Sequence, residues 1–255
     1  MDLGLEGKTG IVCAASRGLG RACATALAQA GVDVVITGRD EASLKNTAGG
    51  IARISGRNVQ YAVGDITTPA GRAAALSICP EPDILVNNAG GPPPGNFRDF
   101  TEEMWIAALH ANMLTPIAMI KAVIDPMIAK KFGRIVNITS GSVKSPIAAL
   151  GLSNGARTGL TGFIAGLARE SAQHNVIINN LLPGPFNTDR LKALAKNAGR
   201  SVDDEIAARA KTIPARRVGE PDEFGAACAF LCSQHAGFIV GQNLLMDGGL
   251  FNSTL

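Results

Sequence analysis

Short apolar runs alternate with amphipathic helical stretches from one end of this chain to the other, and that alternation leaves little freedom of fold. Strand candidates are Gly10–Cys13, Val34–Thr37, Val59–Val63, Ile84–Asn87, Arg134–Thr139, Val176–Leu181 and Asn243–Met246. Most lack strict alternation of polar and apolar residues, as expected of strands covered on both faces of a parallel sheet. Helical patterns fall between them, near Gly20–Ala30, Glu41–Ile54, Pro69–Ile78, Glu102–Lys130, Ser153–Gln173 and Pro221–Ser233. Repeated βαβ units with right-handed crossovers predict an α/β fold: a doubly wound parallel sheet of about seven strands with helices on both faces. No linker or shift in composition divides the 255 residues, so a single domain over 1–255 is expected.

Two segments interrupt the rhythm. Gly91-Pro92-Pro93-Pro94-Gly95 is too rich in proline for a helix or an inner strand and reads as a stiff loop. Residues 187–214 form a charged insertion with a capping pattern at Ser201-Val202-Asp203-Asp204, which predicts a helical hairpin. Both follow the carboxyl ends of strands, where open α/β sheets bind ligands, and the second is placed to act as a lid over a substrate.

Gly18-Leu19-Gly20 follows the first strand and opens a helix. Glycines there let a backbone approach a pyrophosphate, and the helix's free N–H groups and dipole receive its charge. In this strand–turn–helix setting the motif points to a Rossmann-type, nucleotide-binding sheet.

Other partners are argued against by composition. A net charge of +3 without a Lys/Arg run gives no reason to expect nucleic acid. No apolar run is read as a membrane span, and Met1-Asp2-Leu3-Gly4 lacks the basic start of a signal peptide. Cys13, Cys23, Cys79, Cys228 and Cys232 lack metal-ligand spacing and read as buried, reduced thiols of a cytoplasmic protein. His110, His174 and His235 are scattered, so no metal site is expected.

From about Leu5 to Gly249 the chain resembles the short-chain dehydrogenase/reductase family, with a likeness to its 3-oxoacyl-thioester reductases. The likeness rests on Cys13-Ala14-Ala15-Ser16-Arg17-Gly18-Leu19-Gly20, Gly64-Asp65-Ile66, Asn87-Asn88-Ala89-Gly90, Asn137-Ile138-Thr139-Ser140, Pro183-Gly184 and the closing Asp247-Gly248-Gly249. It departs at the nucleotide loop, where Cys13 replaces a threonine and Ala14 the first glycine. The resemblance implies cofactor contacts from Ser16, Arg17, Gly18, Leu19 and Gly20. It places Asp65 and Ile66 at the adenine, Asn88, Ala89 and Gly90 beside the adenosine ribose, and Pro183, Gly184 and Thr188 around the nicotinamide carboxamide. Relatives that prefer NAD end the second strand with an acid, but here Gly38 stands there, followed by Arg39. Arg17 and Arg39 together suit a 2′-phosphate, so NADP(H) is the expected cofactor.

At the reactive end the resemblance assigns an asparagine to Asn112 and a carbonyl-polarising serine to Ser140. The family's tyrosine and lysine, one helical turn apart, fall on Ser153 and Arg157, and Tyr61 is the sole tyrosine of the chain. An aliphatic hydroxyl is far too weak an acid to replace a phenol, and an arginine stays charged. Carbonyl reduction is therefore expected with Ser140 and Arg157 as the electrophilic pair, Arg157 also holding ribose hydroxyls, and with water relayed by Asn112 as the proton source. Lys144 is a second candidate donor. Two other readings stay open: an NADP(H)-binding sensor or structural partner without turnover, and, ranked last, a halohydrin-dehalogenase-like lyase. Phe97, Val143, Pro146, Ile147, Pro185 and Phe186 are expected to line an apolar pocket for a small carbonyl or alcohol substrate. Gly155, Gly159, Gly162 and Gly166 give one helix a smooth face for close packing, and relatives that pair helices here imply a homodimer or homotetramer.

Overall fold

The computed structural model describes residues 1–197 and 199–253. The strands β1 (Thr9–Val12), β2 (Asp33–Gly38), β3 (Val59–Val63), β4 (Ile84–Asn87), β5 (Gly133–Ile138), β6 (Val176–Pro183) and β7 (Asn243–Met246) form one sheet in the order β3-β2-β1-β4-β5-β6-β7. Every pairing is parallel. The crossovers carry helices α1 (Gly18–Gln29), α2 (Glu41–Ser55), α3 (Pro69–Ile78), α4 (Glu102–Leu109), α5 (Thr115–Lys130), α6 (Gly151–Ser171), α7 (Asp189–Asn197), α8 (Val202–Thr212) and α9 (Pro221–Cys232). All seven expected strands are present, with ends moved by at most two residues.

The unbroken apolar strands have a direct explanation. Val12, Val34, Ile36, Val86, Val136 and Ile138 pack into one core layer with residues of α1, α2 and α9. Their chain neighbours Ile11, Cys13, Val35, Leu85 and Ile135 face the opposite layer, made with α3, α5 and α6. Each fully buried side chain of this kind contributes about 1.5–3 kcal/mol of transfer free energy. The chain leaves β1 for β2 on one side and later adds β4 on the other, so a crevice opens between β1 and β4 at their carboxyl ends.

Register also builds a polar feature inside the sheet. Asn87, Asn137, Asn180 and Asn243 lie opposite one another on β4, β5, β6 and β7. Asn87 Nδ2 donates to Asn137 Oδ1 (2.9 Å), Asn137 Nδ2 to Asn180 Oδ1 (3.1 Å), and Asn180 Nδ2 to Asn243 Oδ1 (2.8 Å). The first three residues are buried, so each amide is satisfied by its neighbour instead of by solvent.

The long stretch from Glu102 to Lys130 is continuous but not uniform. A π turn at His110–Leu114 separates α4 from α5. Pro116 has no N–H to return to the carbonyl of Asn112, which breaks the ordinary register there. The same stretch holds an 18-residue window of mean hydropathy 1.4, which meets the length and composition of a membrane span, contrary to the sequence reading. It serves as the crossover from β4 to β5, with Met119, Ile120, Val123 and Met127 buried against the sheet.

Candidate active site

The turn after β1 presents an anion-binding surface. Arg17 precedes α1 without a side-chain capping bond, and the first turn has no acidic residue, so the helix's positive end is uncompensated. Gly18 takes a left-handed φ of 59°, and a Cβ there would meet no atom within 4 Å. Gly20 is the opposite case, since a Cβ would lie 2.6 Å from Ala14 O and 2.9 Å from Asn88 Nδ2. The loop is tied to its neighbours by Ala14 N–H to Thr37 Oγ1 (3.1 Å), Asn88 Nδ2 to Ala14 O (3.2 Å) and Thr47 Oγ1 to Ser16 O (2.8 Å). Leu19 is half-buried against the α1 core layer. Arg17 and Arg39 are both exposed at this end. Asp40, the acid that follows Arg39, caps α2 by accepting from Ser43 N–H (2.8 Å). Asp65 accepts from Thr67 N–H (3.0 Å) and Oγ1 (2.8 Å); these bonds, the backbone one foremost, and the charge of Arg39 hold its carboxyl below the usual range. Ile66 beside it is buried.

The reactive end gathers around the ends of β4 and β5. Arg157 and Ser153 share the buried face of α6, at 7% and 5% exposure. Arg157 Nη1 donates to the Ile138 carbonyl (2.8 Å), which places the guanidinium at the carboxyl end of β5, two residues before Ser140. Burial, followed by the charge of Arg190, lowers the Arg157 pKa to about 10. Asn87, Asn88, Ala89, Asn112, Asn137 and Arg157 are among the residues lining one cavity of about 10 Å³, close to what one water needs. Asn112 Nδ2 donates to Ala108 O (3.3 Å) across the π turn, while its Oδ1 is a buried acceptor with no protein donor. Ser140 Oγ accepts from Ser142 N–H (3.1 Å), capping a short turn over Gly141–Val143. That bond uses an acceptor lone pair and leaves the hydroxyl proton free to donate.

The matches to known proteins fit this geometry. Residues 13–251 match a family model described as Enoyl-(Acyl carrier protein) reductase. The 3-oxoacyl-[acyl-carrier-protein] reductase FabG of Vibrio harveyi is 37% identical over 98% of this chain and 99% of its own length. The chain belongs to the short-chain dehydrogenase/reductase family. Among solved members, L-sorbose reductase from Gluconobacter frateurii, complexed with NADPH and L-sorbose, superposes with a TM-score of 0.93 at 27% identity, covering 99% of this chain and 100% of that one. A 3-oxoacyl (acyl-carrier-protein) reductase from Agrobacterium tumefaciens with NADP bound gives 0.88 at 28% identity, covering 97% and 95%.

Several positions bear on what kind of short-chain reductase this is. Ala14 holds a left-handed φ of 47° where the family's glycine would sit without strain. Relief of that strain, about 1–2 kcal/mol, is partly offset by the added freedom of an unfolded glycine. Ala14→Gly is therefore expected to raise stability by about 0.5–1 kcal/mol, read from urea unfolding midpoints.

Beyond the loop, Pro183 ends β6 and Gly184 N–H donates to Met246 O (2.8 Å), with Thr188 half-buried just before α7. Helices α7 and α8 pack on a small core of Leu191, Ile213 and Val218. Buried Glu205 of α8 accepts from Arg209 Nε on the same helix (2.7 Å) and from Arg200 Nη1 in the connection before it (3.3 Å). Lys144 is exposed in the loop beyond Ser140. The expected pocket lining needs correction at Phe186. Phe186 is buried in the core, edge-on to Phe224 at 5.3 Å, and Phe97 is 62% exposed beside Arg98. The glycine face of α6 divides as well: Trp105 and Met113 cover Gly155 and Gly159, while Gly162 and Gly166 meet nothing within 4 Å. Sequence reasoning passed over Arg190, the first-turn residue of α7 that lies against Gly91.

Proposed function

We propose that the chain is an NADP(H)-dependent oxidoreductase that moves a hydride to or from a small carbonyl or alcohol substrate, using an atypical proton route. One observation carries the cofactor reading. An uncapped helix start with Gly18 facing open space lies beside two exposed arginines, and no acid stands at Gly38. Ser16 to Gly20 would hold the pyrophosphate, with Arg17 and Arg39 at the 2′-phosphate and Asp65 and Ile66 at the adenine. Asn88, Ala89 and Gly90 would line the ribose, Arg157 would reach the nicotinamide ribose, and Pro183, Gly184 and Thr188 would hold the carboxamide. The relatives bound to NADPH or NADP support this choice.

When bound, the cofactor supplies the hydride. Ser140 donates its hydroxyl hydrogen bond to the substrate oxygen, because its acceptor side is engaged by Ser142. Arg157 stabilises charge that develops on that oxygen and releases no proton at working pH. Asn112 holds water through its free Oδ1 beside Arg157, and that water returns the proton. Ser153 orders a water or a substrate group by hydrogen bonding. Helices α7 and α8 serve as the lid of a single domain, and a cytoplasmic homodimer or homotetramer is the working assembly.

The test is direct titration. NADPH is expected to bind at least tenfold more tightly than NADH, and Arg39→Ala should lower NADPH affinity about tenfold with NADH unchanged. Equal binding of the two nucleotides would defeat the 2′-phosphate assignment. A second reading, an NADP(H) sensor without turnover, is favoured by one fact: the sole tyrosine lies on β3, away from the cleft. Tight NADPH binding without oxidation across a panel of ketones, oxo acids and oxoacyl thioesters would support it.

A further inference from the structure

Two arginines stand near the carboxyl ends of β4 and β5, Arg157 at the Ile138 carbonyl and Arg190 against Gly91. Arg157 is more than nine-tenths buried, and among the described residues its one hydrogen bond is to the Ile138 carbonyl. No ion pair among the described residues includes Arg157 or Arg190. Arg190 also stands in the first turn of α7, where the helix dipole opposes a positive charge. Its acidic neighbour Asp189 is turned to Lys192 at 3.6 Å instead. The guanidinium lies so close over Gly91 that a Cβ on that residue would collide with Nη1. Its charge reaches Arg157 and adds to the effect of burial there. The polar residues lining the adjoining cavity, Asn87, Asn88, Asn112 and Asn137, are neutral. Exposed at a helix start whose dipole opposes it, and in no ion pair among the described residues, Arg190 leaves its two-pronged donor set open to an incoming anion.

We propose that Arg190 is a specificity residue that recruits a carboxylate-bearing carbonyl substrate, an oxo acid, to the Gly91 side of the cleft. This rests on the NADP(H) reductase reading and narrows its substrate class. The reaction balances as oxo acid plus NADPH plus a proton giving hydroxy acid plus NADP+, the hydride going to the carbonyl carbon and the proton to its oxygen. The substrate carboxylate offsets the charge of the arginine pair, and the positive field steers anions inward.

The experiment has two stages. NADPH is first titrated into the wild type, Arg190→Met and Arg190→Lys proteins by nucleotide fluorescence. Absence of binding to the wild type would defeat the underlying cofactor reading, and is seen before any substrate is added. The NADPH complexes are then titrated with pyruvate, acetoacetate and levulinate and with their ethyl esters, following thermal shift and NADPH oxidation. At least one acid is expected to bind tenfold more tightly than its ester. Arg190→Met should remove that preference, Arg190→Lys should restore part of it, and NADPH affinity should stay within threefold. Absence of any preference for acid over ester in the wild type would overturn the proposal. So would a tenfold loss of NADPH affinity in Arg190→Met with the acid-to-ester ratio unchanged, because Arg190 would then serve the cofactor's pyrophosphate.

Discussion

Arg157→Met is expected to yield a more stable and nearly inactive protein. The wild-type guanidinium is buried and, among the described residues, has no counterion and one hydrogen bond, to a main-chain carbonyl. Burial lowers its pKa from 12.5 to about 10, so folding disfavours the charged form. Because the folded value is the depressed one, the cost is present at every pH below about 10 and fades as pH rises toward 12.5. It is on the order of 3 kcal/mol, and losing the bond to Ile138 takes back about 1. Methionine is similar in length and apolar, so a net gain of about 1–2 kcal/mol is expected, read as a rise in Tm at pH 7. Turnover of the best-reduced carbonyl compound should fall about 10²–10³-fold, the usual cost of removing one donor to a developing oxyanion. A loss of stability would mean that the charge is well compensated in the fold. Turnover within threefold of wild type would remove Arg157 from the chemistry.

Asn137→Leu acts on stability in the other direction. Asn137 stands in the middle of the amide row, accepting from Asn87 and donating to Asn180. Leucine fills similar space but leaves the Asn87 amide hydrogens and the Asn180 carbonyl without those partners, both at buried residues. Each stranded group costs about 1–3 kcal/mol, so a loss of about 3–5 kcal/mol and a Tm lower by about 10 °C are expected. Asn243→Leu at the half-buried end of the row removes one bond and should cost about 1 kcal/mol. Similar losses for the two variants, measured by denaturant unfolding, would mean that solvent or other groups already satisfy the inner amides.

The inner strands were legible because they are largely runs of β-branched and aliphatic residues buried on both faces, whereas the edge strands β3 and β7 are mostly half-buried or exposed. Gly18 and Gly20 were legible because their sequence context fixes what a glycine does there. Other features depend on contacts between distant parts of the chain. Asn87, Asn137 and Asn180 are separated by 50 and 43 residues, and only strand register brings them opposite one another. The π turn was hidden by a smooth helical pattern; Pro116, with no N–H, was the available signal. Phe186 read as part of an apolar pocket lining, yet its ring turns into the core against Phe224. Arg190 looked like one more charge in a charged insertion. Its place at a helix start was the clue, since cations there work against the dipole.

The asparagine row also has a polarity. Every amide donates toward β7 and accepts on its β4 side, so the side-chain dipoles add head to tail across the sheet. Strand backbones nearly cancel their own dipoles, which leaves this row as a transverse field inside the fold. Its carbonyl end falls at Asn87, on the wall of the cavity that Arg157 lines. The row therefore ends, on the wall that Asn87 and Arg157 share, in a neutral amide and not in a carboxylate that would neutralise the guanidinium.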